Sequence, residues 1–207
     1  MNQPPARVAV FLDYQNVHNS ARRAFWPAGS DPAKGHIDPV KVAGCIVAKR
    51  NANGFPSRLA QVRVYRGLPN PRRQPAAAAA ANRQTNAWSR SSRVALRQRP
   101  LRYPPGWPSQ PAVEKGIDVA LAVDILRLAV VDDAYDVAVV FSGDSDLLPA
   151  IETVLELKCG HIEVAAWRGG GKRLRVDGTS GPWCHWLDEV DYRAVADPTD
   201  YRPPKGS

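Results

Sequence analysis

Short apolar runs rich in β-branched side chains alternate with segments of helical periodicity, and this alternation constrains the fold more than any other feature. Residues 7–12 form the first run and end at Asp13, the pattern of a buried parallel strand with a polar carboxyl end. Residues 16–25 and 39–49 read as helices, the second opening at Asp38-Pro39. Residues 59–68 alternate apolar and polar side chains, which predicts a strand with one wetter face. Further on, 94–103, 135–141 and 161–167 read as strands and 183–190 as an edge strand. Residues 114–131 read as a helix apolar almost all round, and 144–157 as a helix following a strand. Strands alternating with helices imply right-handed crossovers and an α/β fold, with a mostly parallel central sheet covered by helices on both sides. In such sheets the working crevice lies at the carboxyl ends of the strands.

The charge is unevenly placed. The 207-residue chain carries a formal net charge of +8, and residues 39–113 contain no Asp or Glu while arginines recur from Arg58 to Arg102. Clustered cations gain free energy by displacing counterions condensed on phosphates, so a polyanionic partner fits; a plain solvated arginine-rich surface fits as well. Within this stretch, residues 76–81 are an alanine tract suited to a surface helix or a mobile arm, and 104–108 form a Pro-rich loop presenting Trp107. Residues 1–196 are taken as one domain, with 70–112 as a basic Ala/Pro-rich insert and 197–207 as a flexible tail. No segment has the apolar length of a membrane span, and the three scattered cysteines do not form a disulfide framework, so a cytoplasmic location is expected. Homodimerisation is left open.

Carboxylates stand where the strands end. Asp13 follows the first strand, and Ser142-Gly143-Asp144-Ser145-Asp146 follows the strand ending at Phe141, so both groups should emerge on one sheet edge. Asp118 sits near the start of an apolar helix, where an unpaired charge is expensive to bury. A divalent ion would resolve both the repulsion and the burial, and several hard oxygen ligands suit Mg²⁺ or Mn²⁺. Each residue also has a local role open to it: Asp144 as a helix N-cap, Asp118 as a complement to a helix dipole. Asp124, six residues beyond Asp118, lies about 120° around the helix and roughly 9 Å along it, so it is expected to support the site or the fold and not to share an ion with Asp118.

Asp13-x-x-Asn16, Lys115-x-x-Asp118 and Ser142-Gly143-Asp144-x-Asp146, in that order, resemble the three signatures of LabA-like NYN domains, members of the PIN-like nuclease superfamily. The resemblance implies a Rossmann-like, PIN-like three-layer α/β/α sandwich that binds Mg²⁺ or Mn²⁺ and cleaves RNA internally, leaving a 5′-phosphate. It implies that Asp13, Asp118 and Asp144 hold metal, with Asp146 a further ligand or the group that orients the attacking water. Asn16 and Ser142 would then hold substrate or a metal-bound water. Lys115 would meet the scissile phosphate, or simply be a solvated lysine at a helix start.

Other motifs point less far. Gly169-Gly170-Gly171-Lys172 lacks the spacing of a phosphate loop, so no nucleotide triphosphate is expected, and no dinucleotide cofactor either. Lys172 and Arg173 remain candidates for contacting an RNA phosphate, against the alternative of a flexible loop. Cys159-x-His161 and Cys184-His185 offer zinc-ligating types without the paired spacing that zinc needs. Two function classes follow: a metal-dependent endoribonuclease, or a non-catalytic RNA- or protein-binding regulatory module that retains the fold.

Overall fold

A computed structural model describes residues 4–170, 172–176 and 181–203. Six strands form one sheet: β1 (Ala6–Asp13), β2 (Ser57–Leu68), β3 (Val94–Pro100), β4 (Val137–Phe141), β5 (His161–Trp167) and β6 (Cys184–Leu187). Their order is β3-β2-β1-β4-β5-β6, and every neighbouring pair is parallel. The helices are α1 (Tyr14–Phe25), α2 (Pro39–Ala52), α3 (Pro75–Trp88), α4 (Ile117–Val130), α5 (Leu148–Leu157) and α6 (Glu189–Val195). Together they make a three-layer α/β/α sandwich. Among the described residues no helix is long and apolar enough to cross a membrane.

Two cores lie on opposite faces of the sheet, as strand alternation requires. On one face Val8, Val10 and Leu12 of β1 meet Val17 and Ala21 of α1, Ile46 of α2 and Tyr192 of α6. On the other, Ala9 and Phe11 meet Ile117, Leu121 and Ile125 of α4 and Ile151 and Val154 of α5. Residues 70–112 supply α3 and the edge strand β3, which runs in register with β2 from Val62↔Val94 to Leu68↔Pro100. The alanine tract is ordered by tertiary packing: Ala78, Ala81, Thr85 and Trp88 recur at helical spacing and are buried. In the tail, Arg202 pairs with Asp31 at 2.9 Å, and Arg83 donates to the Tyr201 carbonyl at 3.2 Å; residues 204–207 lie outside the described part.

Several sequence expectations change at this level. Residues 114–116 precede α4, which starts only after Gly116 in the left-handed region (φ 72°). The helix also buries one side alone: Ile117, Leu121, Ile125 and Leu128 face the sheet, while Val119 and Val123 are 65% and 55% exposed. The supposedly wet face of β2 carries Arg63, which is buried beneath α4 and paired with Asp124 at 2.6 Å. Tyr65 and Arg97 donate to the same Asp124 oxygen at 2.8 and 3.0 Å, so two arginines of the basic stretch serve the fold. Trp107 is half-buried, edge-on to Tyr103, and Trp183 is the exposed indole.

Candidate metal centre at the carboxyl edge of the sheet

The winding reverses between β1 and β4, opening a crevice at the carboxyl ends of these two neighbours. Asp13 is the last residue of β1, and the loop after β4 carries Ser142 through Asp146. One oxygen each from Asp118, Asp144 and Asp146 lie within 4.8 Å of one another. Asp118 reaches this point from the first turn of α4, while Asp144 caps a single 3-10 turn, Ser145–Leu147, by accepting from the Asp146 N–H at 3.0 Å. Capping and clustering are therefore both realised. Among the described residues no Lys, Arg or His forms an ion pair with any of these three acids.

Asp13 stands behind this group. It is 6% exposed, and its carboxylate accepts from the Ser142 hydroxyl at 2.8 Å and from the Asn16 N–H at 3.3 Å. Burial pushes its carboxyl up to about 6 against those two hydrogen bonds, and repulsion from Asp118 and Asp144 adds to the rise. Asp118 is raised as well, by burial first and then by Asp144. Asp13 thus lies near enough to Asp118 and Asp144 to feel their charge, but falls outside the group of three.

The other expected residues are distributed around this centre. Asn16 turns its side-chain carbonyl onto the Gly143 N–H at 3.0 Å, and the Ser142 hydroxyl also accepts from the Asp144 N–H at 3.1 Å. Both residues thus fasten the acidic loop to β1 and α1. Lys115 is exposed in the segment ahead of α4, and Lys172 is exposed with its backbone carbonyl against Gly143. Arg173 is half-buried, with an Nε that meets no hydrogen-bond partner. Gly170 packs so closely on α1 that an added Cβ would meet the Ala24 backbone N at 2.5 Å, whereas Gly171 lies outside the described residues. Asp124 faces Arg63, Tyr65 and Arg97 and is not brought into the acidic group. Cys159 and Cys184 are free thiols, and His161 and His185 both turn to Glu163, at 3.0 and 2.7 Å.

Glu114 was missed by sequence reasoning, which placed it at the start of a helix. The Arg102↔Val113 bridge instead holds it in an extended segment, where its carboxylate accepts from the Gly67 N–H. Burial raises Glu114 to about 7, with further contributions from Asp13 and Asp118. No local spacing signals it, because its place is set by the bridge to Arg102 and by the Gly67 N–H, both distant in sequence.

The donor set consists of carboxylates and nearby hydroxyl and amide oxygens, the chemistry that a hard divalent cation requires. A sequence model of the NYN domain matches residues 7–175, a span that includes Asp13, Asn16, Lys115, Asp118, Ser142, Asp144 and Asp146. No curated protein matches the chain. A solved protein of unknown function from Vibrio parahaemolyticus is similar at 17% identity over 80% of this chain and 83% of that one, with a TM-score of 0.49. With the match extending over most of its length, the chain belongs to the NYN domain family of the PIN-like superfamily.

Proposed function

We propose that this protein is a cytoplasmic, LabA-like metal-dependent endoribonuclease. The observation that carries the reading is the group of Asp118, Asp144 and Asp146 oxygens within 4.8 Å at the carboxyl edge, free of ion pairs to the protein's own cations among the described residues. Domains of this family are generally ribonucleases that use divalent metals, and an acidic group at the strand ends of this chain supports the same reading. Three unneutralised carboxylates repel one another, and a bound Mg²⁺ or Mn²⁺ offsets that cost. Such an ion supplies a more acidic water and neutralises charge on a phosphodiester.

The chain's own residues do the rest. Asp118, Asp144 and Asp146 hold the ion, with Asp146, the most exposed, also able to orient the attacking water. Asp13 fixes the loop through Ser142 and adds negative charge from behind. Lys115, three residues before Asp118, and Lys172 and Arg173, whose segment packs on Gly143, are assigned to RNA phosphates, a contact that weakens as salt rises. Asn16 holds the acidic loop by Gly143 and so keeps the ligand oxygens converged.

The test is incubation of single-stranded and structured RNA with the protein and Mn²⁺ beside an Asp144→Asn variant. Wild type is expected to cut internally and leave 5′-phosphates, with the variant slower by at least two orders of magnitude, about 2.7 kcal/mol of lost transition-state stabilisation. Equal cleavage by both proteins would refute the assignment, and RNA binding without cleavage would identify a regulatory module.

A further inference from the structure

A cavity of about 340 Å³ opens on the other side of the same edge, lined by His36, Arg66, Ala77, Gln84, Tyr201 and Arg202 among others. That volume is at the lower end of pockets that hold small-molecule groups, roughly 300 to 1,000 Å³. Arg66 is the residue after Tyr65, which pairs in register with Asp13, so it leaves β2 one residue beyond the level of the acids. Alternation turns it to the face of α1 and α3, opposite to Tyr65.

The guanidinium of Arg66 is held without being neutralised. Its carbon lies 5.2 Å from the Tyr14 ring and 5.6 Å from the Trp88 ring, and one amino group donates to Gln84 Oε1 at 2.7 Å. Nε is buried and has no hydrogen-bond partner. Among the described residues no carboxylate forms an ion pair with Arg66. The acids on the cavity wall, Asp31 and Asp200, are both engaged by Arg202, at 2.9 and 2.8 Å, and Glu114 is tied to the Gly67 N–H. Gln84 is fixed in turn: its amide donates to the Tyr14 hydroxyl at 2.8 Å, which lies 3.0 Å from Nδ1 of His36. Withdrawing a cation from water with no anion is costly, and the stacked rings and the amide offset only part of that cost. An anion in the cavity completes the balance through a charge-assisted hydrogen bond from the guanidinium.

We infer that this cavity is a second substrate site, in which Arg66 binds a backbone phosphate of an RNA strand whose neighbouring segment lies at the acidic edge. The inference rests on the proposed ribonuclease reading for the nature of the strand, while the cavity itself is separate from the acids. Asp13 and Tyr14 are consecutive, one facing the acids and the other stacked on Arg66. A strand crossing the carboxyl ends of β1 and β2 therefore meets both.

Binding of a fluorescein-labelled single-stranded oligoribonucleotide, followed by anisotropy in EDTA, separates binding from cleavage. Arg66→Gln removes the charge, and Ala77→Trp, at an exposed alanine of the wall, fills the cavity while leaving Arg66 in place. Each is expected to weaken binding about tenfold, the range of one charge-assisted contact. For Arg66→Gln the slope of log affinity on log salt falls by about 0.7, one phosphate of a single strand. Asp144→Asn binds at least as well as wild type. Wild-type affinity in Ala77→Trp at an unchanged Tm overturns the site, as does wild-type affinity in Arg66→Gln. Displacement by millimolar inorganic phosphate without any effect of these variants on RNA also overturns it, since the cavity would then serve a free anion. If Asp144→Asn cleaves as well as wild type while Arg66→Gln still loses RNA, the ribonuclease reading of the acids fails and the cavity stands.

Discussion

Aspartates with the same charge do opposite things in this chain, and their partners explain why. Asp124 accepts from Arg63, Tyr65 and Arg97, and although burial acts to raise its carboxyl, those three hydrogen bonds hold it below the usual range. Removing it leaves Arg63 buried without a counter-charge. Asp124→Ala is therefore expected to destabilise the fold by about 3–5 kcal/mol in urea unfolding, with cleavage per folded molecule kept. Glu163 is a second buried acid that holds the fold: it accepts from Arg50 at 2.8 and 2.9 Å and is contacted by His161 and His185. Burial works to raise it, but the hydrogen bonds from His161, His185 and Arg50 outweigh burial and hold it far below its ordinary 4.5. A depressed carboxyl contributes stability that is present above its unfolded value and lost as pH falls toward the folded one. Melting temperature should fall from about pH 5 to pH 3 in wild type, and the fall should flatten in Glu163→Gln. An equal slope in both proteins would assign the acid sensitivity elsewhere.

At the scale of elements, the acidic loop depends on one close approach. An added Cβ at Gly143 would meet the Lys172 carbonyl at 2.8 Å and the Asn16 side-chain oxygen at 3.5 Å, so Gly143→Ala must move the loop that carries Asp144 and Asp146. Divalent-ion affinity should drop about 10- to 100-fold, the cost of disturbing the groups that orient ligands, with little change in Tm. Calorimetry on the variant checks this. The strand ends were legible in the sequence because apolar runs stopping at Asp13 and Phe141 fix where a parallel sheet presents its polar edge. The start of α4 was not: apolar periodicity runs back past Gly116, and only the left-handed backbone there separates Glu114 and Lys115 from the helix. The roles of Arg63 and Arg66 were hidden for a related reason, since alternation reveals that a side chain faces away from one core and not that a second helix covers it.

For the molecule as a whole, the chain's net charge of +8 is divided between work inside and work outside. Arg50 and Arg63 are spent on buried pairs, while Arg72, Arg73, Arg99 and Arg102 remain exposed. The all-parallel sheet puts the reversal of winding between β1 and β4, where the acids gather, and the neighbouring strand β2 carries Arg66 into its cavity. The claim on which the rest depends is that the edge holds a divalent ion. Calorimetric titration of Mn²⁺ into wild type, Asp118→Asn and Asp124→Asn tests it most directly. Saturable binding in wild type and Asp124→Asn, lost in Asp118→Asn, is the predicted result; no binding in wild type, or identical binding in all three, would contradict it.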